Sequence, residues 1–176
     1  MPRRKPTRLA SFDYRSPGAY FVTLVTHKRV CLFGEVVEGK LKLNALGRIV
    51  EDVWTGLPDH YPHIELDAYV VMPNHFHGLV ILKPSPTVVG EGLKPSPTAT
   101  RRHGLPEIVR AFKTFSARRI NALRSTPGQY LWQRSYHDRI VRNETELNRL
   151  REYIATNPQR WHLDQENPAQ SGTGGG

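Results

Sequence analysis

The sequence predicts an α+β fold, an antiparallel sheet with helices packed on it. Three observations point there. Several short segments rich in β-branched and aromatic residues are bounded by Gly, Pro or Asn. Three other segments carry apolar residues at helical spacing along one face. Their order, β, ββ, α, β, β, α, β, α, is not the strict alternation that builds a parallel sheet.

The first strand is 19–26 (AYFVTLVT), following Pro17-Gly18. Residues 35–37 and 40–43 flank Glu38-Gly39, a two-residue hairpin turn. Asn44 is a helix cap, and Leu46, Ile49, Val50, Val53, Trp54 and Leu57 form one apolar stripe that Pro58 ends. A strand over 64–72 is broken by Pro73-Asn74. The next, 75–82, is apolar on both faces at its far end, as suits a central strand. A helix over about 106–123 has an apolar side (Ile108, Ala111, Phe112, Phe115, Ala122) and a basic one (Arg110, Lys113, Arg118, Arg119, Arg124). A short strand over 136–142 precedes Asn143, which with Glu146 resembles a capping box opening a helix over 144–156. Leu147, Leu150 and Ile154 face inward, and Asn157-Pro158 stops that helix.

One domain accounts for these elements, from 18 to 163. Before it lies a basic, turn-rich arm, 1–17, and after it a tail, 164–176, whose Gly-rich end should be disordered. Between 84 and 103 lies a flexible insertion. The hexapeptide LKPSPT occurs at 82–87 and again at 93–98, and two prolines per copy forbid helix or central strand.

The 176 residues carry a net charge of +9 and a pI near 10, a balance that attracts polyanions such as nucleic acid. The apolar runs are far too short to span a bilayer, and the basic N-terminus lacks the apolar stretch of a signal peptide. A single cysteine, Cys31, cannot form an internal disulfide or a cysteine-based zinc site. The expected compartment is the cytoplasm, with no membrane partner.

The sharpest local feature is Met72-Pro73-Asn74-His75-Phe76-His77-Gly78. In a strand, i and i+2 point the same way, so His75 and His77 present two imidazoles from one face, as a divalent metal needs. The alternative is a pair of ordinary polar histidines, solvated or bonded to backbone. Burying two unpartnered rings costs on the order of 1–3 kcal/mol each, so the apolar setting favours a ligand. Tyr153 and Asn157 share a helix face at i, i+4, bringing a phenol beside an amide oxygen that Mg²⁺ or Mn²⁺ accepts. A core tyrosine and a simple helix stop are the plain alternatives.

Together, MPNHFHGLVIL and the later HDRIVRNETELNRLREYIATNPQRW resemble the HUH single-tyrosine transposases, the REP-associated tyrosine transposases above all. The similarity runs from 19 to 161, apart from the insertion. It implies a ferredoxin-like antiparallel sheet with the histidines on a central strand. It implies His75, His77 and Asn157 as ligands of a divalent metal, Mg²⁺ or Mn²⁺, and Tyr153 as the nucleophile. The activity it implies is cleavage and rejoining of single-stranded DNA at hairpins, through a 5′-phosphotyrosine. Binding is expected from Arg110, Lys113, Arg118, Arg119, Arg139 and Arg142, and His137 and Asp138 are either assisting groups or ordinary surface residues. Insertion-sequence relatives form dimers that exchange tyrosine helices; a monomer is expected here. The competing readings are a non-catalytic nucleic-acid-binding module of the same fold and an unrelated hydrolase working through metal-bound water on His75 and His77.

Overall fold

The computed structural model describes residues 11–84 and 102–170. Most of the arm (1–10), most of the insertion (85–101) and the Gly-rich end (171–176) lie outside the described residues. The described residues form six strands and four helices, in order β1 (Gly18–Val25), β2 (Gly34–Val37), β3 (Lys40–Leu43), α1 (Ala45–Thr55), α2 (Leu57–His60), β4 (Ile64–Val71), β5 (His75–Leu82), α3 (Leu105–Arg124), β6 (His137–Val141) and α4 (Glu144–Thr156). The α+β expectation holds. A four-stranded sheet is ordered β4-β5-β1-β6 with every pairing antiparallel, and β2-β3 forms a separate hairpin.

Local chemistry explains most element boundaries. Glu38 and Gly39 both take positive φ, 50° and 71°, as a type I′ hairpin turn requires. Asn44 Oδ1 accepts the amides of Leu46 and Gly47 at 2.9 and 3.0 Å, capping α1. Asn143 caps α4 by accepting from Glu146, whose carboxylate reaches back to the Arg142 amide. Pro58 does not end α1, which closes at Gly56. Proline instead sits in the first turn of α2, where its missing N–H costs nothing.

Two layers cover the sheet. On one face α1 and α3 enclose Val22, Leu24, Val80 and an aromatic group, with Trp54, Phe76 and Phe112 at ring separations of 4.7–5.2 Å. The stripe of α3 that faces this core is Leu105, Ile108, Val109, Phe112, Ser116 and Ile120. Phe115 and Ala122, expected inside, lie outward, because the stripe runs along i, i+3, i+4 from Leu105 and leaves them a quarter turn away. On the other face α4 lays Leu147, Leu150 and Ile154 over Val70, Met72 and Leu79. Phe12 and Tyr14, assigned to the arm, pack against the first core, and the Tyr14 carbonyl accepts the Leu105 amide at 3.0 Å.

An irregularity in β4 between Leu66 and Tyr69 accompanies an ion pair from Asp67 to α4. Arg151 grips the Asp67 carboxylate through Nε and Nη2 at 2.9 and 2.6 Å. This guanidinium bond holds the Asp67 carboxyl below its ordinary 3.8, against the opposing effect of burial.

Two predictions follow from this packing. A methyl group on Gly78 would meet Phe76 and Trp54 ring carbons at 2.7 Å, so Gly78→Ala should destabilise the domain by about 1–3 kcal/mol, read as a lower chemical-denaturation midpoint. A carboxyl with a lowered folded pKa stabilises above its unfolded pKa and loses that contribution as pH falls through the folded value. The melting-temperature gap between wild type and Asp67→Asn should therefore stay constant from neutral pH down to about 5 and shrink in stronger acid. A gap that persists unchanged at pH 2 would contradict it.

Candidate active site

The site begins with the pleat of β5. Phe76 and Gly78 face α1 and α3, so His75 and His77 face α4, both buried, with ring centres 4.7 Å apart. Each ring is held by its Nδ1. His77 Nδ1 lies 2.8 Å from Thr23 Oγ1 on the neighbouring β1, and the ring stacks on Phe21. His75 Nδ1 lies 3.0 Å from Asn74 Oδ1.

Asn74 settles which nitrogen of His75 carries the proton. Its amide nitrogen donates to two backbone carbonyls, those of Arg29 and Glu166. The amide oxygen must therefore be the atom facing His75, and an oxygen can only accept. Nδ1 carries the hydrogen, and Nε2 is left as a bare lone pair. That nitrogen is fully buried and has no hydrogen-bond partner. The Arg29 carbonyl reaches Asn74 from a left-handed backbone turn, Lys28 and Arg29 having φ of 57° and 58°.

The other half of the site comes from the end of α4. Tyr153 meets His77 edge-on at 5.3 Å and Phe21 at 6.2 Å; the residue remains 39% exposed and lines a cavity. Asn157 continues the helical backbone one turn later and is buried, with no partner for its Oδ1. A 3₁₀ turn, Pro158–Leu163, then folds the chain back under the sheet. Trp161 comes to lie 5.9 Å from the His75 ring, and Asp164 Oδ2 lies 3.6 Å from His75 Nε2. Residues 164–170, assigned to the tail, make contacts here. Asn167 is buried, its Nδ2 donates to the Trp161 carbonyl, and Glu166 pairs with Arg29 at 3.0 Å.

Burial pushes His75 below its ordinary 6.5 despite the opposing pull of Asp164, and pushes His77 well below it, aided by repulsion from His75. Both rings are neutral at physiological pH, the form that binds metals. Burial, then the Asp164 carboxylate, raises the Tyr153 phenol above 10, and the Asn157 amide and Arg160 offset this only in part. Neutral imidazoles, an orphaned amide oxygen and a phenol reluctant to ionise together fit a divalent cation. Among the described residues no three His, Cys, Asp or Glu side chains form a metal cluster, so the amide of Asn157 is needed to make a third ligand. The cavity here measures about 630 Å³, and Arg139, Arg160 and His137 also line it.

His75, His77, Tyr153 and Asn157, predicted as one site, come together. The basic residues divide. Arg139 lines the cavity and pairs with Glu146 at 2.6 Å, and Arg142 lies beside it at the end of β6. Arg110, Lys113, Arg118 and Arg119 lie on α3, which packs on the opposite face of the sheet. There Lys113 donates to the carbonyls of Gln133 and Arg134, and Arg119 approaches Asp52 at 3.5 Å. Sequence reasoning missed Thr23, Asn74, Arg160 and Asp164. Of these only Asn74, adjoining the two histidines, carried a signal, and it reads equally as a strand break.

No family model matches the chain. An uncharacterized protein of Haemophilus influenzae is 34% identical over 170 residues, which span 92% of each chain. Among solved structures, a REP-associated tyrosine transposase bound to a REP hairpin superposes with a TM-score of 0.54 at 17% identity, over 82% of this chain and 68% of that one. The first likeness establishes kinship and the second the fold. The chain belongs to one family with the Haemophilus influenzae protein, and it has the fold of a REP-associated tyrosine transposase.

Proposed function

We propose that this protein is a metal-dependent single-tyrosine transposase that cuts and rejoins single-stranded DNA at hairpins. The observation that carries the reading is the meeting, within one chain, of the Tyr153 ring and the His77 ring at 5.3 Å, beside the unpartnered oxygen of Asn157. The solved transposase of the same fold binds a REP hairpin, which supports a hairpin substrate for this chain. Because Tyr153 reaches its own chain's histidines, no exchanged helix is required, and a monomer suffices.

His75 through Nε2, His77 and Asn157 through Oδ1 would hold the cation, Mg²⁺ or Mn²⁺. When bound, it supplies Lewis-acid polarisation of the scissile phosphate and favours the phenolate. The remaining work belongs to the side chains. Asn74 and Thr23 fix the imidazole orientations. Arg139 and Arg160 line the cavity and supply positive charge for the phosphodiester. The Tyr153 oxygen attacks phosphorus, the phenol proton is released, and the 3′-oxygen departs and gains a proton. A 5′-phosphotyrosine ester remains, storing the bond for rejoining. Arg139 also borders a second groove of about 680 Å³ with Arg142 and Arg149, a path by which flanking DNA would leave the site. Arg110, Arg118 and Arg119 would serve only DNA that passes behind the sheet. No helix among the described residues is long and apolar enough to cross a membrane.

The deciding experiment incubates end-labelled hairpin DNA with protein and Mn²⁺, then runs a denaturing protein gel. Wild type should give a labelled protein band. Tyr153→Phe should bind the hairpin with wild-type affinity and give no band, and His77→Ala should lower the yield by about a hundredfold or more. Cleavage without a protein-linked product would favour a metal-water hydrolase, and binding without cleavage a non-catalytic module. Hairpin affinity should also drop by about tenfold or more between 50 and 200 mM salt.

A further inference from the structure

The His75 lone pair faces something unexpected. Asn74 forces the proton onto Nδ1, so Nε2 presents no hydrogen, yet 3.6 Å away stands a carboxylate oxygen, Asp164 Oδ2. Two acceptors facing each other repel unless a hydrogen or a cation lies between them. The gap itself is informative. Ligands held about 2.0–2.2 Å from one metal ion are about 3.0–3.5 Å from each other, so 3.6 Å is close to the edge of a coordination shell and too long for a hydrogen bond.

Asp164 is also built to point one oxygen this way. Its Oδ1 accepts the Glu166 amide at 2.8 Å, shaping the turn and leaving Oδ2 toward the histidine. The side chain is only 11% exposed. The segment carrying it is anchored on both sides: the Asn74 carboxamide grips the Glu166 carbonyl, and the Asn167 amide grips the Trp161 carbonyl.

We propose that Asp164 is a further ligand of the site's cation, adding a carboxylate to His75, His77 and Asn157. The proposal rests on the metal-dependent reading above. A carboxylate oxygen beside the amide oxygen shifts the donor set toward a harder cation such as manganese than two imidazoles and an amide alone would take. It also gives the segment after α4 a task. Among the described residues His75, His77 and Asp164 do not form a three-ligand cluster as they stand, so the carboxylate would have to close on the ion when it binds.

The test needs no DNA and no turnover. Mn²⁺ is titrated into full-length protein, with free Mn²⁺ followed by electron paramagnetic resonance and bound Mn²⁺ by water-proton relaxation. Asp164→Asn keeps an acceptor for the Glu166 amide and should weaken binding by about tenfold or more. Asp164→Ala should weaken it further, and water replacing the carboxylate should raise the relaxation enhancement per bound ion. If Asp164→Ala fails to fold, as read by circular dichroism, Asp164→Asn decides alone. Affinity and relaxation matching wild type in Asp164→Asn, with His77→Ala having lost the ion, would overturn this proposal and leave the site reading intact. Wild type binding Mn²⁺ no better than His77→Ala would overturn both.

Discussion

The pleat of one central strand sets every other requirement of this molecule. β5 is paired on both sides, by β1 and β4, so its side chains have only two directions, and both are enclosed. Phe76 and Gly78 serve the packing of Trp54 and Phe112 on one face, while His75 and His77 serve chemistry on the other. A slip of one residue would exchange the two sets, burying imidazoles among aromatic rings and offering a phenyl group to the site. The register that makes the core is therefore the register that makes the site.

That arrangement creates an electrostatic debt confined to the α4 face. Two imidazoles kept neutral by burial, a carboxylate beside one of them and a phenol pushed away from ionising all point to positive charge arriving from outside the chain. Arg160 and Arg139 border the cavity, and the arginine at 139 is already paired with Glu146. The supporting shell is correspondingly rigid. Asn74 joins three separate stretches of chain, at Arg29, His75 and Glu166, through the few atoms of one carboxamide.

Much of this was legible in the sequence, and the reason is period. Strand alternation put His75 and His77 on one face, and helical spacing put Tyr153 and Asn157 on another. Caps at Asn44 and Asn143 marked where helices begin. What stayed hidden lacks period. Asp164 lies eight residues past Thr156, the last residue of α4, within irregular chain held by side-chain contacts to distant segments. The basic side of α3 misled in a different way: charge on a helix reveals that a face meets solvent, not which side of the sheet that face occupies. Pro58 shows a further limit, because one proline can close a helix or open the next.

The place where the tandem hexapeptide joins the domain has its own consequence. It leaves β5 at Leu82, the end of the strand remote from the chemistry, about 17 Å of extended chain beyond His77. The return point is tied down locally, the His103 carbonyl meeting His63 Nε2 at 2.8 Å just before α3 begins. Departure and return are thus both secured at the quiet end of the sheet. A change in the number of residues between Lys83 and His103 would therefore meet the sheet at this end and leave the imidazoles and the phenol in place.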